Sequence, residues 1–486
     1  MKARILRSPG MSGKRWLLLL VFPVGYLVTA GHFGASAFQY LALNCASLLG
    51  CCLLLSQLGH RLHLTLPFSL LLVLFVFYYG QLYWLGADPN AVKGFWLPDL
   101  EWMSSSPEIL LSAYATTTFA FATFCLTASL LLLISGKAGN YGGEVYGGVN
   151  HGRVFRNALT FLLILIPTTS YAMYVGHIAV LGAEGPSLPF HLAGIVYYGR
   201  LVTIPGLLLV TIWCADHIGS RTRLVVALVV AFIYAATDMI LRASRGSLAT
   251  ILLSIGLLFL LTGRMTGGRM WRLIVAAAVI VPLWPIMTLY RLSRTTQDAS
   301  IAVSLRLGLD ALTNADLTIA QSFTEATRFL IMRVTGAVSL VPAIGADVGP
   351  LGAGAATSVT SFFTTEVMGY PPEAIHTSAP SLVGWFYLVG GNVLVIAGVF
   401  GLTLALWIIW YQLPRSRLRC LAVAQALVAT WILLGVAVDG VLDRAYLPAL
   451  SCLASVVACE WVTRLGKARG PAVAWPSLGS ATTDSA

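Results

Sequence analysis

One arginine in this chain suggests chemistry because it lies inside a long apolar segment. Arg200 is the only Arg, Lys, Asp or Glu between residues 191 and 214. An ionised side chain at the centre of a membrane-spanning helix costs about 2.5–3.5 kcal/mol on insertion scales, and it usually faces a polar cavity. We therefore expect Arg200 to be a catalytic residue. A structural ion pair with an acid such as Asp238 is the alternative.

Further arginines stand on the side of the chain that we expect to face away from the cytoplasm. Arg245 is a second candidate catalytic residue, in a short turn between two apolar runs. Guanidinium groups bind phosphate oxygens in a bidentate manner and keep their charge. Such a cluster therefore suits an anionic substrate, and anchoring to lipid headgroups is the alternative for each arginine. The arginines assigned to substrate binding are Arg242, Arg291, Arg294 and Arg328.

Acid–base groups are harder to choose. The chain has no GxSxG elbow, no HExxH and no spacing of a hydrolase triad. His376 comes just before an apolar run at the face where we expect the chemistry, and we take it as the candidate catalytic histidine; an ordinary surface residue is the alternative. Glu325 is a candidate for substrate binding, because it shares the polar face of an amphipathic segment with Arg328.

The eight cysteines all lie in or at the ends of apolar runs. No pair of loops offers a disulfide, and no CxxC or Cys/His spacing predicts a metal site. We interpret each cysteine as a small buried hydrophobic residue, and we expect no metal.

Composition decides where these residues must work. The chain has 486 residues, of which 58% are hydrophobic and 10% charged, and its mean hydropathy is +0.83. Soluble domains carry about 25% charged residues. Apolar runs of about 20 residues match the hydrocarbon thickness of a bilayer, and they favour helices over barrel strands. The sequence predicts an all-α, polytopic membrane protein and no nucleic-acid partner.

The apolar runs predict about twelve membrane-spanning helices. The first nine fall within residues 1–290, a long connection follows at 291–381, and three more fall within 382–463 before a tail at 464–486. The predicted spans are 16–31, 38–58, 66–86, 113–135, 156–181, 191–214, 223–241, 247–263, 271–290, 382–412, 419–438 and 444–463.

Basic residues set the orientation. With both termini inside, every inside segment carries Lys or Arg, as the positive-inside rule requires. The connection 291–381 then faces the periplasm, with an amphipathic helix over 314–334 and a flexible, small-residue stretch over 345–361. The first run also resembles a secretory signal ending near Ala37, but we favour an uncleaved span.

Two stretches resemble a known family. The run RASRGS at 242–247 is similar to the Ser-Arg-Gly turn of O-antigen polymerase-like proteins. The run HTSAPSLVGWFY at 376–387, which leads into the glycines at 390 and 391, resembles the entry that follows the large periplasmic loop in those proteins. Tyr387 belongs to this second motif and is a candidate for substrate binding.

This resemblance implies an inverting glycosyl transfer on the periplasmic face of the bacterial inner (cytoplasmic) membrane, without metal, cofactor or nucleotide sugar. The donor would be a polyprenyl-diphosphate-linked glycan and the acceptor a sugar hydroxyl of a second repeat unit. Membrane lipid, a chain-length regulator and a flippase are the implied partners. An O-antigen ligase is the nearest alternative enzyme, and a twelve-span transporter or lipid-linked oligosaccharide flippase is the alternative outside enzymes.

Overall fold

The computed structural model is helical throughout its described regular elements. It describes residues 15–58, 62–88, 103, 105–135, 149–178, 192–242, 246–278, 290, 303–304, 306, 337–346, 359–369, 380–416, 418–434 and 446–466. All statements below concern these residues. The predicted amphipathic helix over 314–334 lies outside them, as does most of the tail.

The helices follow one another in the order expected of a multi-span bundle. A 3-10 turn Arg15–Leu20 leads into the first helix, and a π-helical segment Gly199–Thr203 joins the sixth helix to the seventh. The helices are α1 Val21–Phe33, α2 Ala37–Gln57, α3 Leu62–Ala87, α4 Pro107–Ser135, α5 His151–Val175, α6 Leu192–Tyr198, α7 Ile204–Ile218, α8 Arg221–Arg242, α9 Gly246–Leu261, α10 Gly267–Ala278, α11 Ala337–Gly345, α12 Val359–Phe362, α13 Ser381–Gln412, α14 Leu421–Trp431 and α15 Tyr446–Leu465.

Among the described residues, eight helical segments are long and apolar enough to cross a membrane, so the prediction of a polytopic helical membrane protein is confirmed. Each of the other four predicted spans falls on a shorter or less apolar helix, namely α9, α10, α14 or α15. The count of twelve and the orientation stay predictions. The eight segments are Trp16–Phe33, Ala37–Gln57, Thr65–Ala87, Pro107–Ser135, His151–Val175, Ala193–Ile218, Arg221–Arg242 and Ser381–Gln412.

The first four helices pack through small residues and hydroxyl groups. Gly25 lies against the ring of Tyr83, where an added Cβ would come within 2.3 Å of a ring carbon. The Tyr79 hydroxyl is hydrogen-bonded to Ser47 at 2.6 Å and to Thr118 at 2.9 Å. Lipid tails are as apolar as leucine, so close packing and interhelical hydrogen bonds must hold such helices together.

The long connection contains two short helical pieces that the sequence did not predict. In α11, Leu340 and Val341 are buried, and the backbone N–H of Ala337 donates to Gln81 Oε1 of α3 at 3.1 Å. α12 continues as a π-helical segment to Val367 with Phe363 buried. Residues 359–361, predicted to be flexible, therefore begin a helical piece. Parts of the connection pack into the bundle.

α13 is interrupted in its first third. Gly390 (φ −154°) and Gly391 (φ 62°) leave the helical conformation, and the positive φ at Gly391 favours glycine. The Phe386 ring lies on the backbone of Gly398, where an added Cβ would come within 2.2 Å of it. In a straight helix these residues would be about 18 Å apart along the axis. The piece before the glycines therefore turns back onto the piece after them.

The cysteines are all free, and six of the eight are buried. Cys45 is exposed, so its interpretation as a buried residue is wrong. It lies on α2, a membrane-spanning candidate.

Candidate functional site

Arg200 lies in a π-helical turn, the one such turn described within the eight long apolar segments. The segment Gly199–Thr203 interrupts the path from α6 to α7, and such π-bulges occur frequently at functional sites. Arg200 is fully buried, with 1% of its surface exposed. A buried guanidinium requires a counter-charge and hydrogen-bond acceptors, and the structure supplies both.

The counter-charge is Asp238 of α8. Its Oδ1 accepts a hydrogen bond from Arg200 Nε at 3.0 Å, and both side chains are shielded from solvent. The ion pair with Asp238 that the sequence offered as an alternative for Arg200 is therefore present. A catalytic role for Arg200 stays a prediction.

Hydroxyl groups of two neighbouring helices complete the surroundings of Arg200. Nη1 donates to Thr169 Oγ1 at 2.9 Å and to Ser170 Oγ at 2.8 Å, both on α5, and Nη2 donates to Thr237 Oγ1 at 3.1 Å. The ring of Tyr234 lies 5.2 Å from the guanidinium carbon. Sequence reasoning missed these partners. The only signal was the polar triplet Thr-Thr-Ser at 168–170 inside an apolar run.

Arg242 shares the same carboxylate. Its Nη1 donates to Asp238 Oδ2 at 3.0 Å, one helical turn away on α8, and the hydroxyl of Ser247 also donates to that oxygen. Nη2 donates to the Tyr197 hydroxyl at 2.9 Å, and the Tyr197 ring lies 5.0 Å from the guanidinium carbon. The side chain of Arg242 keeps 16% of its surface exposed.

These contacts join four segments at one end of the bundle. Arg200 lies in the π-helical segment between α6 and α7, Asp238 and Arg242 near the end of α8, Thr169 near the end of α5 and Ser247 at the start of α9. Because successive spans run antiparallel, these ends face the same way. We call this set of residues the Asp238 cluster. The end that it occupies is the one that the charge pattern predicts to be periplasmic.

The remaining predicted site residues are distributed as follows. Tyr387 is half-buried on the piece of α13 before the glycines, and α13 packs beside α11 and α4. The candidates that lie outside the described residues are Arg245, Arg291, Arg294, Glu325, Arg328 and His376. Of the nine predicted site residues, the structure thus brings Arg200 and Arg242 together.

A second charged cluster occupies the opposite end of the same helices. Asp216, near the end of α7, accepts hydrogen bonds from Arg264 Nη1 at 3.0 Å and from Arg269 Nη2 at 2.7 Å. The rings of His151 and His217 are parallel with their centroids 5.0 Å apart. Both arginines are about one-third exposed. This end is the one predicted to face the cytoplasm.

Comparison of the chain with protein-family models, with curated proteins and with solved structures gives no match. The functional assignment therefore rests on the residues of this chain.

Proposed function

We propose that this membrane-embedded chain is a glycosyltransferase that polymerises polyprenyl-diphosphate-linked oligosaccharide repeat units into a surface polysaccharide, such as an O-antigen, a capsule or an exopolysaccharide. The reaction takes place at the periplasmic face of the bacterial inner membrane. The observation that carries this proposal is the Asp238 cluster. Two arginines share one carboxylate inside the bundle and leave one unit of positive charge.

The reaction makes an anion at this end of the bundle. A hydroxyl oxygen of the acceptor sugar attacks the anomeric carbon of the donor glycan, and the bond from that carbon to the diphosphate oxygen breaks. The hydroxyl proton goes to a general base, for which His376 is the candidate, and polyprenyl diphosphate leaves. Fixed positive groups aimed at the developing charge lower the barrier most in a water-poor site. Arg242 supplies such a group.

The architecture suits a lipid-linked substrate. The Asp238 cluster lies about one helical turn from the end of α8, at a depth that a diphosphate headgroup reaches while its polyprenyl chain stays in the membrane. Arg245 follows Arg242 by three residues and belongs to the same proposed anion site. Tyr387 and the arginines of the long connection are proposed to hold the glycan. A flippase and a chain-length regulator are the proposed partners.

A transporter or flippase is the second candidate, and the broken α13 favours it. Discontinuous helices near the middle of the membrane form substrate sites in many secondary transporters. Gly390 and Gly391 make α13 a discontinuous helix. An O-antigen ligase would use the same anion site with a different acceptor.

The test uses purified full-length protein in lipid vesicles with a polyprenyl-diphosphate-linked repeat unit, EDTA and no nucleotide sugar. We expect a ladder of longer glycans. Arg242→Ala should slow extension by about 10²–10³-fold, the usual cost of one lost donor to a developing oxyanion. Arg242→Lys should also be slow, because an ammonium does not reproduce the guanidinium fork.

Arg221→Ala is the matched control, since Arg221 is exposed at the other end of α8. It should extend glycans at the wild-type rate. Extension that depends on a divalent ion would contradict the proposed chemistry. Movement of the lipid across the bilayer without extension would favour the flippase.

A further inference from the structure

The two arginines of the Asp238 cluster differ in access. The Arg200 side chain is fully enclosed, the Asp238 side chain is 1% exposed, and the Arg242 side chain is 16% exposed. All three nitrogens of Arg200 already donate hydrogen bonds to the protein. An anion therefore reaches Arg242 without disturbing the bundle, whereas reaching Arg200 requires α5 and α8 to separate from the π-helical segment.

The carboxylate of Asp238 is divided between the two arginines. Oδ1 accepts a hydrogen bond from Arg200, and Oδ2 accepts hydrogen bonds from Arg242 and from Ser247. This arrangement fixes the guanidinium of Arg242 from one side, while Tyr197 fixes it from another through its hydroxyl. Charged hydrogen bonds of this kind are short and directional. Asp238 thus determines where Arg242 points.

From these contacts we infer that Asp238 is the positioning residue of the anion site, and that Arg200 is its buried counter-charge and not a substrate contact. The inference rests on the proposed function. Arg200 and Asp238 cancel each other, so the surplus charge belongs to Arg242. The anion recognised there is the diphosphate group of the lipid-linked donor.

Single substitutions at Arg200 do not separate a contact from a counter-charge. Arg200→Gln leaves Asp238 to neutralise Arg242, so the surplus charge disappears and anion binding falls in either case. The double variant Arg200→Gln/Asp238→Asn separates them, because it removes both charges of the pair and leaves Arg242 with its own. If Arg200 is only a counter-charge, diphosphate binding should return in the double variant. If Arg200 contacts the substrate, diphosphate binding should stay weak.

The experiment measures binding of inorganic diphosphate to the purified full-length protein in nanodiscs of uncharged lipid, by calorimetry. Arg242→Gln and Arg200→Gln should each bind at least about 10-fold more weakly than wild type, which corresponds to one lost charged contact. The double variant should return to within about 3-fold of wild type. Asp238→Asn alone should bind diphosphate at least as tightly as wild type and yet extend glycans slowly, because Arg242 has lost its orientation.

That split between binding and transfer is not expected of a purely structural residue. A second double variant, Arg200→Met/Asp238→Leu, is made in parallel, since replacing a whole buried pair by apolar side chains is often neutral or stabilising. Thermal unfolding without ligand shows which variants are folded. Arg242→Gln changes a partly exposed residue and gives an answer even where the buried variants do not fold.

Two results would overturn the inference. One is a folded double variant that binds diphosphate no better than Arg200→Gln, and the other is an Arg242→Gln protein that binds as wild type does. In both cases the wild-type protein still binds diphosphate, so the proposed polymerase activity stands, although the second result would remove Arg242 from the proposed anion site. A wild-type protein that binds no diphosphate would overturn the inference and the proposed leaving-group site together.

Discussion

Replacing Gly398 by alanine tests whether α13 turns back at its two glycines. A Cβ at this position would lie 2.2 Å from the Phe386 ring, whereas carbon atoms in favourable contact are about 3.5–4.0 Å apart. The ring must therefore move by more than about 1 Å. Overpacking costs about 1–3 kcal/mol, and replacing a helical glycine by alanine returns about 0.5–1 kcal/mol. We expect a net loss of up to about 2.5 kcal/mol in the free energy of unfolding.

Gly401→Ala is the matched control on the same helix, because a Cβ there has nothing within 4 Å. It should raise the free energy of unfolding by about 0.5–1 kcal/mol. The assay compares unfolding of the two variants in one detergent, followed by tryptophan fluorescence. Adding Phe386→Leu to Gly398→Ala should reduce the difference in the free energy of unfolding between the Gly398→Ala and Gly401→Ala proteins. Equal stability of Gly398→Ala and Gly401→Ala would refute the contact, and with it the turn in α13.

Two further predictions concern the orientation and the second charged cluster. In a cysteine-free background, Glu366→Cys should react with an impermeant thiol reagent in intact cells, because Glu366 is exposed in the long connection, and Thr222→Cys should react only after the cells are opened. The reverse pattern would invert the topology. Asp216→Asn replaces the carboxylate that Arg264 and Arg269 share by a neutral amide, and the lost charge should lower the free energy of unfolding by about 1–3 kcal/mol. Glycan extension per folded protein should stay unchanged, and its loss would argue against assigning function to the Asp238 end.

Hydropathy predicted the eight long apolar helices of the described residues because bilayer thickness fixes the length of an apolar helix. It missed α11 for the same reason, since Ala337–Gly345 is far shorter than a span. It also missed the break in α13. The apolar run from 382 to 412 is continuous, and hydropathy contains no information about φ. The available signal was the excess length of the run together with the Gly-Gly-Asn sequence at 390–392.

The Arg200–Asp238 pair was within reach of sequence reasoning, because a charge buried in a membrane needs a partner and Asp238 lies in the following predicted span. The hydroxyl groups that accept hydrogen bonds from Arg200 could not be predicted from the sequence. Whether Thr169 and Ser170 face Arg200 depends on the rotation of α5 about its axis, which tertiary packing sets. The role of Arg242 depends on which oxygen of Asp238 accepts from which arginine, and no rule of sequence spacing predicts that arrangement.

The two charged clusters differ in how deeply their arginines are buried more than in their composition. In each, one aspartate accepts hydrogen bonds from two arginines, so each retains one unit of positive charge. At Asp216 both arginines are about one-third exposed, so water and salt screen the surplus charge. At Asp238 one arginine is enclosed and the other is mostly buried, so the surplus charge lies on a single guanidinium in a medium of low dielectric constant. The same charge attracts an anion several-fold more strongly there. A diphosphate would therefore gain more from Arg242 than from either arginine of the opposite cluster, and this difference is the physical reason for proposing the Asp238 end as the site of the reaction.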